Sequence, residues 1–106
     1  MEITAEQLKQ KISSGEKLII DFKASWCGPC KVMLPMFMKA KEESTNGVNF
    51  YVMDIDSDNN KEYAIGLGIR GVPTVKAFIG GNEVFTKSGL MRTEEILKVV
   101  NNMWYG

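Results

Sequence analysis

A chain of 106 residues is long enough for a single domain spanning residues 1–106, with one core and no need of disulfide staples. Its apolar share (44%), its charged share (25%) and the cancelling of 13 basic by 13 acidic residues are those of an ordinary globular protein. No lysine–arginine cluster with interleaved aromatics appears, so nucleic acid is not an expected partner. No apolar run approaches the ~20 residues of a membrane helix, which argues against a membrane.

Taken in order, the chain begins Met1-Glu2-Ile3-Thr4, without an apolar signal segment, and the expected location is therefore the cytoplasm. Any strand here is a stub at Glu2-Ile3. Thr4 and Gln7 make a capping-box pattern, Leu8 and Ile12 share a helical face, and Gly15 fits just past the end. The first helix is expected over Ala5 to Ser14, covering one face of a sheet.

Lys17 to Lys23 reads as a central strand, apolar on both faces through Leu18, Ile19, Ile20 and Phe22. Asp21 interrupts that run. It is either a strand end facing water or a buried carboxylate near the motif that follows, Trp26-Cys27-Gly28-Pro29-Cys30-Lys31. This motif holds the only two cysteines. It lies where the strand hands over to a helix expected over Cys27 to Glu43, kinked at Pro35, with Met33, Phe37 and Ala40 in one apolar row. A helix N-terminus carries unpaired N–H groups and partial positive charge, which favour a thiolate. Two thiols at this spacing can close and reopen a disulfide. A metal site fits poorly: structural zinc takes four ligands, mostly Cys and His, and the chain has two cysteines and no histidine. A purely structural disulfide fits poorly with a cytoplasmic location.

Val48 to Asp54 is the next strand, parallel to the first through a right-handed crossover. Asp54, Asp56 and Asp58 lack the glycine and distal glutamate of a calcium loop; Asp58 or Asn59 is expected to cap a short helix over Asn60 to Ile65, with Gly66 and Gly68 breaking the chain. Ile69-Arg70-Gly71-Val72-Pro73-Thr74 leads into a strand at Val75 to Ile79. Gly80-Gly81-Asn82 turns into an antiparallel edge strand, Glu83 to Lys87. Gly89 precedes a last helix from Thr93 to Trp104, capped by Thr93 and buried along Ile96, Leu97, Val100, Met103 and Trp104.

This order, with Trp26-Cys27-Gly28-Pro29-Cys30-Lys31, Asp21-Phe22, Pro35 and Gly71-Val72-Pro73-Thr74, resembles the thioredoxin family over essentially the whole length. The resemblance implies an α/β thioredoxin fold: a central mixed sheet of about four to five strands with helices on both faces. It implies an enzyme, a protein-disulfide reductase that carries electrons from a thioredoxin reductase to disulfide-containing targets. A monomer is expected, with no cofactor and no metal. Cys27 takes the role of the exposed attacking thiolate, Cys30 that of the buried resolving thiol, and Asp21 that of a buried acid serving Cys30. Pro73 resembles the family's cis-proline, with Val72 offering backbone hydrogen bonds to a substrate chain. Trp26, Gly28, Pro29, Gly71, Val72, Pro73 and Gly89, with Ile55 and Leu90, would form the substrate-binding patch. The Gly28-Pro29 pair points to the reducing end of the family.

The sequence also departs from the family pattern. Lys23 stands where many members carry tryptophan or a small residue; it is either a solvated lysine or one that favours the Cys27 thiolate or acidic substrates. Val52 stands where many bacterial members have a lysine. The connection from Asp56 to Gly68 is slightly long. An isomerase or oxidant on the same fold and a non-catalytic binding module are the competing readings.

Overall fold

The computed structural model describes residues 1–57 and 59–103. The elements run α1 (Ala5–Ser13), β1 (Leu18–Lys23), α2 (Gly28–Glu43), β2 (Asn49–Asp54), α3 (Asn60–Gly66), β3 (Thr74–Ile79), β4 (Asn82–Ser88) and α4 (Thr93–Asn102). Among the described residues the four strands form one sheet in the order β2-β1-β3-β4. β1 pairs parallel with β2 and antiparallel with β3, and β3 pairs antiparallel with β4. Met1 to Ile3 adds only an isolated parallel bridge between Glu2 and Val52, the expected stub.

β1 is central because it is apolar on both faces. Leu18, Ile20 and Phe22 face one core, with Leu8 of α1, Ala64 of α3 and Phe78 of β3. Ile19 faces the other, with Met33 and Phe37 of α2, Phe50 of β2, Val75 and Ala77 of β3, and Ile96 and Val100 of α4. Side chains alternate along a strand, so Asp21 shares the α2 face with Ile19. The sheet thus has α1 and α3 on one side and α2 and α4 on the other, as the family resemblance implies.

Local signals in the sequence explain most boundaries. Thr4 caps α1: its hydroxyl accepts from Gln7 N, and the Gln7 side chain accepts from Thr4 N. Gly80 and Gly81 both take positive φ (59° and 87°), as a tight hairpin demands.

Other boundaries moved. The cap of α4 is Arg92 rather than Thr93. Arg92 N donates to Glu95 Oε1, while the Thr93 hydroxyl donates to Met36 O and ties α4 to α2. α3 takes in Gly66 as its last residue, one beyond the expected end, and the reversal falls at Gly68, at φ 84°. The N-cap of α3 is Asn59, without a side-chain cap bond. Asp58, the other candidate cap, and Trp104, expected in the α4 stripe, lie outside the described residues.

Two buried polar side chains were not anticipated. Asn60 accepts from Ala5 N at 2.7 Å and donates to Asp54 O at 2.9 Å, joining α3 to the start of α1 and the end of β2. Lys76, between Val75 and Ala77 on β3, reaches Glu83 Oε1 at 2.6 Å and Thr86 Oγ1 at 3.3 Å.

Candidate redox site

The site lies where β1 gives way to α2. Cys27 is the N-cap of α2, in extended backbone at φ −88° and ψ 112°, and its Sγ accepts from Cys30 N at 3.2 Å. A sulfur therefore occupies the place usually taken by a serine or aspartate oxygen, against the positive end of the helix. Pro29 falls in the first turn, where a missing N–H costs nothing. Cys27 and Cys30 are joined in a disulfide, with Cα atoms 5.3 Å apart.

Both cysteines are buried, Cys27 at 4% exposure and Cys30 at 2%. The expectation of an exposed Cys27 is corrected in this oxidised pair. Its sulfur is covered by the segment before β3: Sγ lies 3.6 Å from the Val72 carbonyl oxygen, and Ala24, Ile55 and Val72 pack around the two sulfurs. The peptide between Val72 and Pro73 is cis. Two bonds hold this segment in place. Thr74 Oγ1 donates to Gly71 O at 2.6 Å, and Gly89 N donates to Pro73 O at 2.8 Å. Gly89, at φ 101°, needs the left-handed backbone that glycine adopts freely.

Of the residues expected in the substrate-binding patch, Trp26, Gly28, Pro29, Gly71 and Gly89 are exposed, Val72 and Leu90 half-buried, and Pro73 buried. Val72 packs against the pair, Trp26, Gly71 and Val72 line one surface hollow, and Leu90 packs against the core under α2 and α4. A Cβ at Gly28 or Gly71 would meet nothing within 4 Å. Packing within the chain does not require glycine at either place, so their bareness leaves room for something outside it. Trp26, 68% exposed, donates from Nε1 to Asp56 Oδ2.

Asp21 resolves to the buried alternative. It has 0% exposure, and among the described residues neither carboxylate oxygen has a hydrogen-bond partner. Its neighbours in the sheet register are Val52 on β2 and Val75 on β3, both buried on the same face. Two valines offer a charge no solvation. Burial therefore pushes the Asp21 carboxyl from 3.8 up to about 7, against a smaller downward pull from the Lys23 ammonium. A carboxyl poised there takes up and gives a proton at neutral pH.

Lys23 is not the solvated lysine of the first sequence alternative. Its ammonium lies 3.6 Å from Asp54 and 3.9 Å from Glu2, with only 20% of the side chain exposed. It is a half-buried partner of two carboxylates, and its reach toward the site is its effect on Asp21.

The thioredoxin family profile matches residues 1–102. The chain belongs to the thioredoxin family. A thioredoxin from Rickettsia felis is 35% identical over 95 residues, covering 88% of this chain and 87% of that protein. One from Mycoplasma genitalium is 32% identical over 97 residues, covering 92% of each. Among solved structures, chloroplastic thioredoxin z superposes with a TM-score of 0.84 at 29% identity, covering 99% of this chain and 94% of that one. Thioredoxin membership and a Cys-x-x-Cys pair closed in a disulfide make the protein a thiol–disulfide oxidoreductase.

Sequence reading missed a groove that continues from this site. Ile65, Lys61 and Arg70 line it. Lys61 and Ile65 stand one turn apart on α3 and Arg70 follows that helix; nothing local in the sequence puts them beside Trp26, which the fold does.

Proposed function

We propose that the chain is a protein-disulfide reductase, a monomeric single-domain cytoplasmic electron carrier between a thioredoxin reductase and disulfide-bearing target proteins. The observation that carries the reading is the sulfur of Cys27 seated as the N-cap of α2, where the N–H of Cys30 and the helix dipole stabilise its anion. In the dithiol form the Cys27 thiolate attacks a target disulfide. A bond forms between Cys27 and one target sulfur, and the other leaves as a thiolate. Asp21 then accepts the proton of Cys30, and the Cys30 thiolate attacks Cys27. That step frees the second target thiolate and closes the Cys27–Cys30 disulfide. Two electrons have passed to the target, and the reductase returns two to restore the dithiol. Trp26, Gly28, Pro29, Gly71, Val72, Pro73 and Gly89 hold the target chain, the Val72 backbone pairing with it as a strand would.

Trapping separates the two sulfurs. Cys30 sits one turn inside the helix, so its task is the intramolecular second step, which proximity makes fast. Cys30→Ser is expected to accumulate mixed disulfides with target proteins, visible as higher-mass bands that vanish with dithiothreitol, while Cys27→Ser gives none. Equal trapping by both variants would overturn the assignment. Reduction of insulin driven by NADPH and a thioredoxin reductase tests the direction of electron flow.

A further inference from the structure

Ile55 and Val72 belong to two features at once. They pack against the Cys27–Cys30 sulfurs, and they also form the near end of a groove of about 250 Å³. From there the groove runs past Trp26 and Gly71 to Ile65, Arg70 and Lys61. Two of its walls are large apolar side chains left in water: Trp26 is 68% exposed and Ile65 62% exposed. Adjacent exposed apolar side chains of this size mark a surface that something covers.

The charges on the groove are uneven. Lys61 and Arg70 are both exposed, and among the described residues neither has an ion-pair partner. The carboxylate of Asp56, also on the lining, is engaged by Trp26 Nε1. Glu62 lines a different hollow, with Thr4, Lys9 and Tyr63.

We propose that this groove is a specificity subsite of the redox site: it takes an acidic segment next to the target's disulfide cysteine, an apolar side chain against Trp26 and Ile65 and carboxylates at Lys61 and Arg70. Continuity with the sulfurs through Ile55 and Val72 places the segment beside the reacting cysteine. The two cations, unpaired among the described residues, set its charge. The inference rests on the reductase reading for the groove's purpose; the geometry of the groove does not.

The test uses a disulfide-linked peptide made in three versions, with Glu, Gln or Lys beside an apolar residue flanking the cysteine. With the unaltered protein, kcat/KM is expected to fall from Glu through Gln to Lys by about tenfold at low salt, the gap closing at high salt as exposed charges are screened. The double variant Lys61→Glu, Arg70→Glu should invert the order, and Ile65→Ser should raise KM for all three versions. Rates that ignore the peptide's charge, or charge preference untouched by salt, would overturn the subsite. Binding is read separately. Titrating the oxidised protein with serine-for-cysteine peptides should show the same order of affinity by indole fluorescence. If no disulfide is reduced but the Glu peptide still binds best, the groove stands and the reductase reading falls. If disulfides are reduced and the peptides bind alike, the reverse holds.

Discussion

At the scale of single residues, the side chain under greatest tension is Asp21. Its carboxyl titrates near 7 in the fold and near 3.8 when the chain unfolds. Between those values the folded state holds a proton that the unfolded state releases. Stability is therefore full below about pH 4, falls as pH rises through about 7, and stays low above it. The gap corresponds to about 4 kcal/mol as an upper bound. Asp21→Asn removes the charge but leaves a buried amide in need of partners, so the expected gain is smaller, about 1–3 kcal/mol near pH 8. Near pH 4 the variant and the parent should unfold alike. Urea titrations at the two pH values check this, and an equal gain at both would mean that charge is not the cause. On the proposed mechanism the same substitution should slow release of the mixed disulfide near neutral pH, since Cys30 would lose its proton acceptor. Unchanged turnover between about pH 6 and 8 would make Asp21 a structural residue only.

At the scale of elements, the connection between β2 and β3 decides most of what surrounds the disulfide, and Asn60 holds that connection. Its side chain satisfies Ala5 N on α1 and Asp54 O on β2 in one place. Asn60→Ala leaves both groups without that partner and is expected to cost about 2 kcal/mol of stability, with a fall in melting temperature of about 10 °C. Asn60→Asp keeps the acceptor for Ala5 N and should lose less. A loss for Asn60→Ala below about 0.5 kcal/mol would show that water replaces both bonds.

Asn60 also marks where the sequence stops being readable. The capping box of α1, the central β1, the Cys-x-x-Cys helix start and the Gly80-Gly81 turn are local patterns, and each stands where its residues put it. What failed was settled by distant partners. Thr93 has the chemistry of a cap, but the carbonyl of Met36 takes its hydroxyl, and Arg92 becomes the boundary. Gly66 and Gly68 both read as breaking the chain; Gly66 stays in α3 as its last residue, and only Gly68 adopts the left-handed backbone. Cys27 reads as exposed from its place at a helix start, yet the Val72 segment, arriving from 45 residues away, lies over its sulfur. Asp21 could not be decided until Val52 and Val75 were known as its neighbours.

At the scale of the whole molecule, folding and redox state are linked through the disulfide. The bond joins residues separated by three positions, so it closes a small loop and removes little entropy from the unfolded chain. The loop-closure relation for so short a loop gives about 2 kcal/mol in favour of the oxidised fold. Small domains of this length unfold as a unit, and that difference should therefore appear as one shifted transition: the oxidised protein melting about 10 °C above the dithiol form. The cycle runs both ways. If the disulfide stabilises the fold by a given amount, the fold stabilises the disulfide by the same amount relative to the unfolded chain. Unfolding in urea should accordingly make the Cys27–Cys30 bond easier to reduce, by about thirtyfold for 2 kcal/mol. Two measurements close the cycle: urea midpoints of the oxidised and reduced protein, and the dithiothreitol equilibrium of the disulfide with and without urea. Equal stability of the two redox forms would show that native contacts of the free thiols offset the entropy of the closed loop. A thiol equilibrium that did not move on unfolding would have to accompany it.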